Sequence, residues 1–523
     1  MTDIGATLAA TFVARCAGVG VSPDPRLRLL DHVVVGAAPA DHDGSLGELH
    51  ERLTGRDERR GRGAWYTPAW LAADLVARVV DEPGAVADPS CGGGVFLLAA
   101  ADRLAALGAA PGRIVGEFLW GCDIAPLAVA ITEAELWWWS AERGEPTVAG
   151  ARVVVGDALV GVDIPAVSAV VGNPPFLGQL KSSTSTDAAR RRQLAQRWGT
   201  AVQPYTDVAW LFLLAAVDAV DSVDAVGAVA MVMPQSLLTA RDAATIRGRI
   251  DERMDLDDCW VDDGRAFAAA VDVCAPVLRR RPGTAEHRSP DWAGALGDAI
   301  GIPTVDLRGT ATLGQRAELM AGFRDEYYGL VDAVTEGGSG PRLVTSGAID
   351  PLRLVAGGVR FAKRRWNDPV VDVAKTEGRA ARWATAQAGP KLIVASQTKV
   401  VEAVVDPDGS LLAGVPAIVV RPRDATELWL LAAALHAPAV SAWMLRRTVG
   451  SALSRDACKP TAALLAEMPL PAATGHWERA ADLAAAIADG ADRWEEFAVA
   501  ADRAYGIEDD SLRAWWLERL PLR

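Results

Sequence analysis

The stretch that decides the fold reads Val86-Ala87-Asp88-Pro89-Ser90-Cys91-Gly92-Gly93-Gly94-Val95-Phe96-Leu97. A short apolar run ends at an acid, three glycines follow, and apolar residues then return at helical spacing. Glycines let a backbone pass close to a ligand, and the first N–H groups of a helix have no partner within the helix. The stretch therefore predicts a strand, a ligand-binding loop and the start of a helix.

Further short apolar runs surround this loop between Trp65 and about Leu278, and Ala- and Leu-rich helical stretches separate them. In chain order they are GAVADPS, EFLWGCDI, RVVVGDAL, VSAVVGNPPF and GAVAMVMPQ. Short apolar runs that alternate with helices of about 10–15 residues are typical of an α/β sheet. Residues 1 to about 60 have a helical pattern instead.

The glycine loop alone leaves its ligand open. The dinucleotide fingerprint GxGxxG is not matched, and Asp123, in GCDIAP, follows Gly94 by 29 residues. A dinucleotide fold has its ribose-binding acid after about 20 residues. An acid at the end of the second strand is still well placed to hold ribose hydroxyls. The alternative is an ordinary strand-to-helix turn with an exposed Asp.

Asn173-Pro174-Pro175-Phe176 follows the apolar run VSAVVG and therefore lies at the carboxyl end of a strand, where open α/β sheets bind ligands. The prolines fix the backbone and carry no N–H, so carbonyl oxygens can point into a cleft. The Asn side chain adds an amide acceptor, and the Phe ring adds a stacking surface. This set suits a planar substrate with an exocyclic amine, although such a tetrapeptide can also be a simple turn.

The composition limits the class of protein. The chain has 523 residues, of which 50% are hydrophobic and 23% are charged, enough for two to four domains with buried cores. Its formal net charge of −14 excludes a uniformly basic nucleic-acid coat protein. The six cysteines are dispersed, which excludes a disulfide framework and argues against a metal site. The N-terminal residues lack a basic region, so we expect no secretory signal and a soluble, cytoplasmic protein.

One apolar stretch, from Leu428 to Leu445, has the length of a membrane span. It contains His436 and Pro438, and two arginines follow it directly. We therefore expect a buried helical hairpin and no membrane association.

Positive charge is concentrated between Pro341 and Val400. This stretch holds 11 Lys or Arg residues against 4 acidic residues, an excess of +7 (11 − 4) on a chain of net charge −14. Phe361, Trp366 and Trp383 are interleaved with the charges. Such a pattern is what a surface that contacts phosphates needs, and a solvated face is the alternative.

Five motifs occur in a fixed order: WYTP at Trp65, DPSCGGGVFL at Asp88, GCDIAP at Gly121, GDAL at Gly156 and NPPF at Asn173. In this order the sequence resembles the gamma-class N6-adenine DNA methyltransferases of restriction-modification or phage-defence type. The resemblance covers about Gly61 to Leu278 and recurs more loosely at KLIVASQT and SRDACKPTAALLAEMPLP.

The resemblance implies an α/β fold. It consists of a Rossmann-like S-adenosylmethionine-dependent methyltransferase sheet, a helical N-terminal segment and a separate C-terminal DNA-recognition domain. The limits expected are 1–60 for the helical segment, 61–285 for the catalytic domain, 286–340 for a connecting segment that ends in a linker or hinge, 341–475 for target recognition and 476–523 for a C-terminal helical segment.

The resemblance also implies S-adenosylmethionine as cofactor. Its methionine end would lie against Tyr66, Thr67 and Pro68, and Asp88 would reach its amino group. The loop residues Pro89, Cys91, Gly92 and Gly94 would pass close to it, while Asp123 and the adjacent Ile124 would hold the ribose. Asp157 would accept a hydrogen bond from the cofactor's adenine amine, and Ala158 is small where some relatives carry a bulky residue.

Catalysis would then belong to Asn173, Pro174, Pro175 and Phe176. The Asn173 side-chain oxygen and the Pro174 carbonyl would accept both N6 hydrogens of a flipped adenine, and Phe176 would stack on one face of the base. Phe267 is the candidate for the opposite face, with a core phenylalanine as the alternative. Phe in place of the commoner Tyr keeps the stacking and loses a hydroxyl.

Double-stranded DNA is the expected substrate, with Arg360, Lys363, Arg364 and Arg365 as expected phosphate contacts. The alternatives are a glutamine-N5 protein methyltransferase, an rRNA methyltransferase and a non-catalytic specificity subunit of a defence complex. Because only 60 residues precede Gly61 and no convincing PD…(D/E)xK pattern is present, we expect a modification component that works beside separately encoded nuclease or defence proteins.

Overall fold

The structure of the protein is a computed structural model. It describes residues 3–54, 67–176, 185–203, 206–221, 227–262, 264, 266, 272–280, 292–322, 324–355, 359–449, 457–472 and 475–521. The chain divides into two compact units, Met1–Trp292 and Ala293–Arg523. The finer limits predicted above remain a prediction.

An eight-stranded sheet forms the centre of the first unit, and each apolar run predicted to be a strand contributes to it. Its strands are β1 (Val86–Asp88), β2 (Leu119–Asp123), β3 (Val153–Val155), β4 (Ala169–Gly172), β5 (Ala228–Met231), β6 (Met233–Pro234), β7 (Met254–Val261) and β8 (Val273–Arg280). The strand order is β3-β2-β1-β4-β5-β8-β6, and β7 pairs with β8. The predicted α/β fold is confirmed.

Pairing within this sheet changes from parallel to antiparallel along its width. Strands β3, β2, β1, β4 and β5 are parallel, whereas β8 runs antiparallel to its neighbours β5, β6 and β7. Helices cover the parallel part because each parallel connection needs a crossover. The parallel strands are short and largely buried on both faces, which explains why they read as continuous apolar runs.

Helices of the first unit pack around this sheet or precede it. They are α1 (Ile4–Gly18), α2 (Leu46–Leu53), α3 (Ala69–Val79), α4 (Val95–Ala106), α5 (Pro111–Arg113), α6 (Pro126–Ala141), α7 (Ser185–Trp198), α8 (Val208–Asp221), α9 (Ser236–Thr239) and α10 (Ala244–Asp251), with α11 (Trp292–Ala299) at the boundary. An apolar cluster joins α1 and α2 to α6, with Phe12, Leu46 and Trp137 among its members. The helical segment predicted at the N-terminus therefore belongs to the same unit as the sheet.

Small sheets and helices build the second unit. Its strands are β9 (Ala311–Thr312), β10 (Ala317–Ala321), β11 (Val334–Glu336), β12 (Arg342–Val344), β13 (Ile349–Asp350), β14 (Arg353–Leu354), β15 (Val359–Phe361), β16 (Arg364–Trp366), β17 (Pro369–Val371), β18 (Lys391–Val394), β19 (Ala403–Asp406), β20 (Leu411–Ala413), β21 (Ile418–Pro422) and β22 (Pro469–Leu470). Two four-stranded sheets, β10-β21-β18-β19 and β11-β17-β12-β20, share one apolar cluster.

Helices of the second unit are α12 (Leu313–Arg316), α13 (Arg324–Leu330), α14 (Gly378–Ala386), α15 (Leu428–His436), α16 (Pro438–Thr448), α17 (Ala462–Glu467), α18 (Gly475–Ala488), α19 (Trp494–Ala504) and α20 (Asp510–Leu517). The segment Thr335–Pro341, expected to be a linker or hinge, begins within β11 and ends directly before β12, and both of these strands pair with β17.

The apolar stretch at Leu428 folds as α15 and α16, which meet at Ala437 with a bend of 63°. The expected burial is confirmed, but the expected hairpin is wrong. Pro438 occupies the first position of α16 and restarts a helix instead of reversing the chain. Over the described part of the chain, no single helix has the length and apolarity to cross a membrane. When the two helices of this bent pair are taken together, they reach that length and apolarity.

A buried carboxylate holds the start of α16. The fully buried Asp502, in α19, accepts a hydrogen bond from the backbone N–H of Ala439 at 3.1 Å, while its second oxygen has no hydrogen-bond partner among the described residues. Burial raises the pKa of the Asp502 carboxyl to about 7. Asp509 behaves in the opposite way, because hydrogen bonds from Ser511 and Leu512 lower its pKa.

We predict that Asp502→Asn makes the second unit less sensitive to pH. Because the folded-state pKa lies above the unfolded value, the carboxyl favours folding below about pH 4, and that contribution is lost as the pH rises to about 7. Relative to wild type, the Asn variant should gain on the order of 2–4 kcal/mol between pH 4 and pH 8. Urea unfolding at several pH values measures this. Asp509→Asn is the control and should show the opposite trend; a parallel pH profile for Asp502→Asn and wild type would contradict the assignment.

Candidate cofactor and catalytic site

Four polar side chains lie at the carboxyl ends of neighbouring parallel strands. Asp88 ends β1, Asp123 ends β2, Asp157 follows β3 and Asn173 follows β4. Since β1 pairs with both β2 and β4, and β2 pairs with β3, the four positions share one edge of the sheet. Sequence reasoning placed all four at strand ends, and the structure brings them to that edge.

The glycine loop between β1 and α4 turns sharply at this edge. Gly92 has φ +50° and Gly94 has φ +88°, a left-handed conformation that side chains rarely adopt. The backbone N–H of Cys91 bonds to the Cys122 carbonyl at 2.9 Å, and the N–H of Gly92 bonds to Asp123 Oδ2 at 3.0 Å. The loop is therefore fixed against the end of β2.

Asp88 is buried to 1% exposure beside the glycine loop. It accepts a hydrogen bond from the Ser90 N–H at 3.0 Å. Burial, reinforced by the nearby Asp123 carboxylate, raises the pKa of Asp88 to about 7. A carboxyl that is costly to ionise when the site holds no cation is suited to meet one, because an ammonium group within reach would favour its charged form.

Asp123 holds two backbone N–H groups. Besides Gly92, it accepts a hydrogen bond from Ala125 N–H at 2.8 Å, which shapes the start of α6. The adjacent Ile124 is 69% exposed, an unusual state for a large apolar side chain next to a buried strand. Together the two residues offer a carboxylate and an apolar surface, the chemistry that a nucleoside needs.

Asp157 has a partner that sequence reasoning missed. Its Oδ2 lies 3.0 Å from the guanidinium of Arg190 in α7, and its Oδ1 accepts the Leu159 N–H at 2.9 Å. Arg197 in the same helix donates to the Leu159 carbonyl at 3.1 Å. The predicted neighbour Ala158 is buried. A polar, Arg-rich stretch following NPPF is the only sequence signal for this contact.

The Asn173 side chain is oriented by the segment that precedes α3. Its Nδ2 donates to Thr67 Oγ1 at 3.0 Å, and Thr67 is 3% exposed. Pro174 is buried, Phe176 is half-buried, and the Phe176 ring packs against the core of the sheet. Predicted site residues Tyr66 and Phe267 lie outside the described residues.

Gly172 connects Asn173 to Asp88. A Cβ at Gly172 would lie 2.7 Å from Asp88 Oδ1, which is closer than real side chains approach. The residue before Asn173 must therefore lack a side chain while Asp88 keeps its position. The buried Asp88 carboxyl therefore lies against the residue that directly precedes the NPPF segment.

Within the residues that the structure describes, no group of three or more His, Cys, Asp or Glu side chains could hold a metal ion. The six cysteines are buried, and burial raises the pKa of Cys91 and Cys122, both close to the loop, so that neither is a ready nucleophile.

One family of known proteins is similar to part of the first unit. The family model described as N-6 DNA Methylase matches residues 43–260. The match covers 218 of the 523 residues, less than half of the chain, and all five motifs lie within it.

Solved structures resemble the chain in fold. The Type IIL restriction-modification enzyme MmeI, solved in complex with DNA, matches with a TM-score of 0.55 at 13% identity, over 94% of this chain and 83% of that one. The type IIG restriction endonuclease BpuSI matches with a TM-score of 0.41 at 13% identity, over 99% and 77%. A type I restriction-modification methyltransferase subunit from Streptococcus thermophilus matches with a TM-score of 0.33 at 15% identity, over 53% and 61%.

We predict that the affinity for S-adenosylmethionine rises with pH through about pH 7 if Asp88 receives the cofactor's ammonium group. Only the ionised carboxyl attracts the cation, and a pKa of about 7 leaves most of it protonated at pH 6. Calorimetry should give roughly fivefold tighter binding at pH 7 than at pH 6, a range in which the cofactor's amino group stays mostly protonated. Asp88→Asn should bind more weakly and lose most of this dependence; an unchanged pH profile in that variant would exclude Asp88 as the titrating group.

Proposed function

We propose that the protein methylates N6 of an adenine within a specific duplex sequence, with Asn173–Phe176 as the catalytic segment. One observation carries this assignment: the amide of Asn173 is oriented by Thr67 and lies one residue from Gly172, which contacts the buried Asp88. Groups for an exocyclic amine and for the methionine end of the cofactor therefore adjoin each other.

The catalytic task is to make a poor nucleophile react. The lone pair of adenine N6 is delocalised into the ring, so the amine must be held in the right direction. With Nδ2 of Asn173 bonded to Thr67, the side-chain oxygen turns to the other side of the amide group, where it would accept one N6 hydrogen. The Pro174 carbonyl would accept the second. Catalysis would then be mainly positioning and local electrostatics, with no covalent enzyme intermediate.

The residues at the sheet edge fit the cofactor. When bound, S-adenosylmethionine supplies a methyl group on a positively charged sulfur. Asp88 would hold the cofactor's ammonium group and Asp123 its ribose hydroxyls, and Ile124 would cover an apolar face. Asp157 would accept from the adenine amine, sharing its carboxylate with Arg190. The left-handed turn at Gly92, where nothing lies within 4 Å of an added Cβ, leaves room for a ligand at the loop.

The target base must leave the duplex, because N6 of a paired adenine cannot reach a buried site. Phe176 would stack on the extruded base. Its ring is supported by the core of the sheet, so it is a rigid surface rather than a mobile one. This assignment accounts for an aromatic side chain that is only half-buried at the edge of an apolar core.

Contact with the DNA backbone would come from the hairpin β15–β16 in the second unit. Arg360, Lys363, Arg364 and Arg365 are all exposed there, and Arg360 lies directly opposite Arg365. Directly opposed residues of a strand pair share one face, so a phosphate backbone lying against that face would meet both guanidinium groups. The Arg364 guanidinium lies 4.3 Å from the centre of the Trp366 ring, which holds it in place.

The hairpin tip is strained and firmly anchored. Ala362 has φ +49° and Lys363 has φ +60°, although neither is Gly, Asn or Asp. Tyr327 Oη accepts the Ala362 N–H at 3.2 Å, and the Tyr327 ring lies 4.9 Å from the Phe361 ring. Strain that its surroundings enforce in this way is typical of functional segments. The hairpin would therefore present its charges to DNA in a fixed arrangement.

The biological role we propose is the modification component of a restriction-modification or phage-defence system. The fold likeness to MmeI, which its title names as a restriction-modification enzyme, covers most of both chains and supports this role. Partner proteins would be separately encoded nuclease or defence proteins.

The catalytic assignment predicts opposite effects for two variants. Asn173→Ala should bind S-adenosylmethionine within about twofold of wild type, while kcat falls by about 100-fold or more because the transition state loses a positioned acceptor. Asp123→Ala should instead weaken cofactor binding. Cofactor affinity is measured by calorimetry, and methyl transfer is measured in parallel on duplex DNA, ribosomal RNA and protein. Substantial turnover by Asn173→Ala would overturn the mechanism, and transfer to RNA or protein but not DNA would overturn the substrate.

The hairpin assignment predicts a change in salt dependence. Arg360→Ala with Lys363→Ala should lower the slope of log affinity against log salt by about 2, for specific and random duplexes alike, because two phosphate contacts are lost. Cofactor affinity should not change. The charge-matched control is Lys375→Ala with Arg379→Ala, since those cations already pair with Asp372 and Glu326. An unchanged slope, or an equal change in the control, would mean that the hairpin does not contact DNA.

A further inference from the structure

Two glycines from distant parts of the chain meet behind the glycine loop. A Cβ added at Gly93 would lie 2.6 Å from Gly47 Cα, and a Cβ added at Gly47 would lie 3.1 Å from the Gly93 carbonyl oxygen. Gly93 lies outside the positive-φ range of its neighbours Gly92 and Gly94. The glycine is therefore required at position 93 by the close approach of α2 and not by the shape of the turn.

Helix α2 is held in this place at its first residues. Ser45 caps it, with the Glu48 N–H bonded to Ser45 Oγ at 3.1 Å and the Ser45 N–H bonded back to Glu48. The N–H of Leu46 donates to Glu135, a carboxylate in α6 that is 4% exposed. Because Gly47 follows these two anchors directly, it has little freedom to move away from Gly93.

Helix α6 binds the N-terminal segment at a second buried carboxylate. Glu133, 1% exposed, accepts the Arg28 N–H at 3.0 Å and lies 3.4 Å from the Arg28 guanidinium. Arg28 also donates to the carbonyl groups of Gly150 and Val153 at 2.9 and 2.7 Å. Buried carboxylates of this kind are stable only with such partners. Arg28 thus links the segment to the strand that precedes Asp157.

The same helix holds the loop from its other side. Thr132 Oγ1 in α6 donates to the Gly92 carbonyl at 2.7 Å, and a Cβ at Gly94 would lie 3.1 Å from Thr132 Oγ1. Helix α6 also begins directly after Asp123. The glycine loop is therefore enclosed by α6 on one side and by α2 on the other, and α6 anchors α2.

We propose that residues 3–54 form the back wall of the cofactor site and that Gly47 is a positioning residue for the glycine loop. The inference rests on the proposed assignment of this loop to S-adenosylmethionine. A loop whose backbone is already fixed loses less conformational freedom when a ligand binds, so the contact increases cofactor affinity. Gly47 itself makes no contact with the cofactor in this proposal.

The test compares three glycine-to-alanine variants. Gly93→Ala should weaken S-adenosylmethionine binding at least tenfold, and Gly47→Ala should weaken it two- to tenfold, because alanine at either position pushes the loop and α2 apart. Alanine is a better helix former than glycine, so Gly47→Ala should not weaken α2 itself. Gly18→Ala is the matched control: it lies in α1 of the same segment, and nothing lies within 4 Å of an added Cβ.

The kinetic readout separates positioning from general damage. Gly47→Ala and Gly93→Ala should both raise KM for S-adenosylmethionine. For both variants, kcat at saturating cofactor and KM for DNA should stay within about twofold of wild type. If Gly93→Ala does not fold, the milder Gly47→Ala carries the test. Unchanged cofactor affinity in a folded Gly47→Ala, or an equal rise in KM for DNA, would overturn the inference.

Asp123→Ala separates an error in the cofactor site from an error in the role of Gly47. If Asp123→Ala leaves cofactor affinity unchanged, the cofactor site itself is misassigned and this inference falls with it. If Asp123→Ala weakens binding while the Gly47 and Gly93 variants bind normally, only the back-wall inference is overturned.

Discussion

Strand β1 pairs in parallel with β2 on one side and with β4 on the other, and the site depends on these two ladders. Parallel pairing brings the carboxyl ends of strands to one edge, so residues 88, 123 and 173 meet there although 85 positions separate the first from the last (173 − 88). The edge is crowded as a result. The Asp88 carboxyl leaves no room for a side chain at Gly172, and the loop after β1 is hydrogen-bonded to the end of β2.

Much of this arrangement could be predicted from the sequence, because it depends on local patterns. Short apolar runs gave the strands, and polar residues directly after them gave the strand ends. The contacts that orient those residues could not be predicted, since they join distant positions. Thr67 and Asn173 are 106 residues apart, and neither residue's neighbours indicate the bond. Gly93 reads in the sequence as one of three loop glycines, yet its requirement comes from Gly47 in another helix.

The strands of the second unit were harder to predict from the sequence than those of the first, because they are short. They are mostly two to five residues long, too short to show a period of two. The turn at Ala362 and Lys363 carries none of the residues that normally signal positive φ, because tertiary contacts with Tyr327 impose it. The glycine-rich Thr335–Pro341 stretch looks like a linker, but neighbouring strands that pair with β17 hold both of its ends. The excess of positive charge could be counted without knowing the strands, and the structure exposes Arg360, Lys363 and Arg364; their contact with DNA stays a prediction.

Net charge and local charge have separate roles in this chain. A formal charge of −14 would repel a polyanion if it were spread evenly, but the stretch between Pro341 and Val400 has an excess of positive charge. Several of the most buried carboxylates are paired inside the protein. Glu133 and Glu135 bind Arg28, Arg15 and backbone N–H groups, and Asp406 pairs with the buried Lys391. These ion pairs stabilise contacts within each unit and leave the formal net charge unchanged. Arg360, Lys363 and Arg364 are exposed on the hairpin β15–β16, where salt screens the effect of their charge beyond about 10 Å.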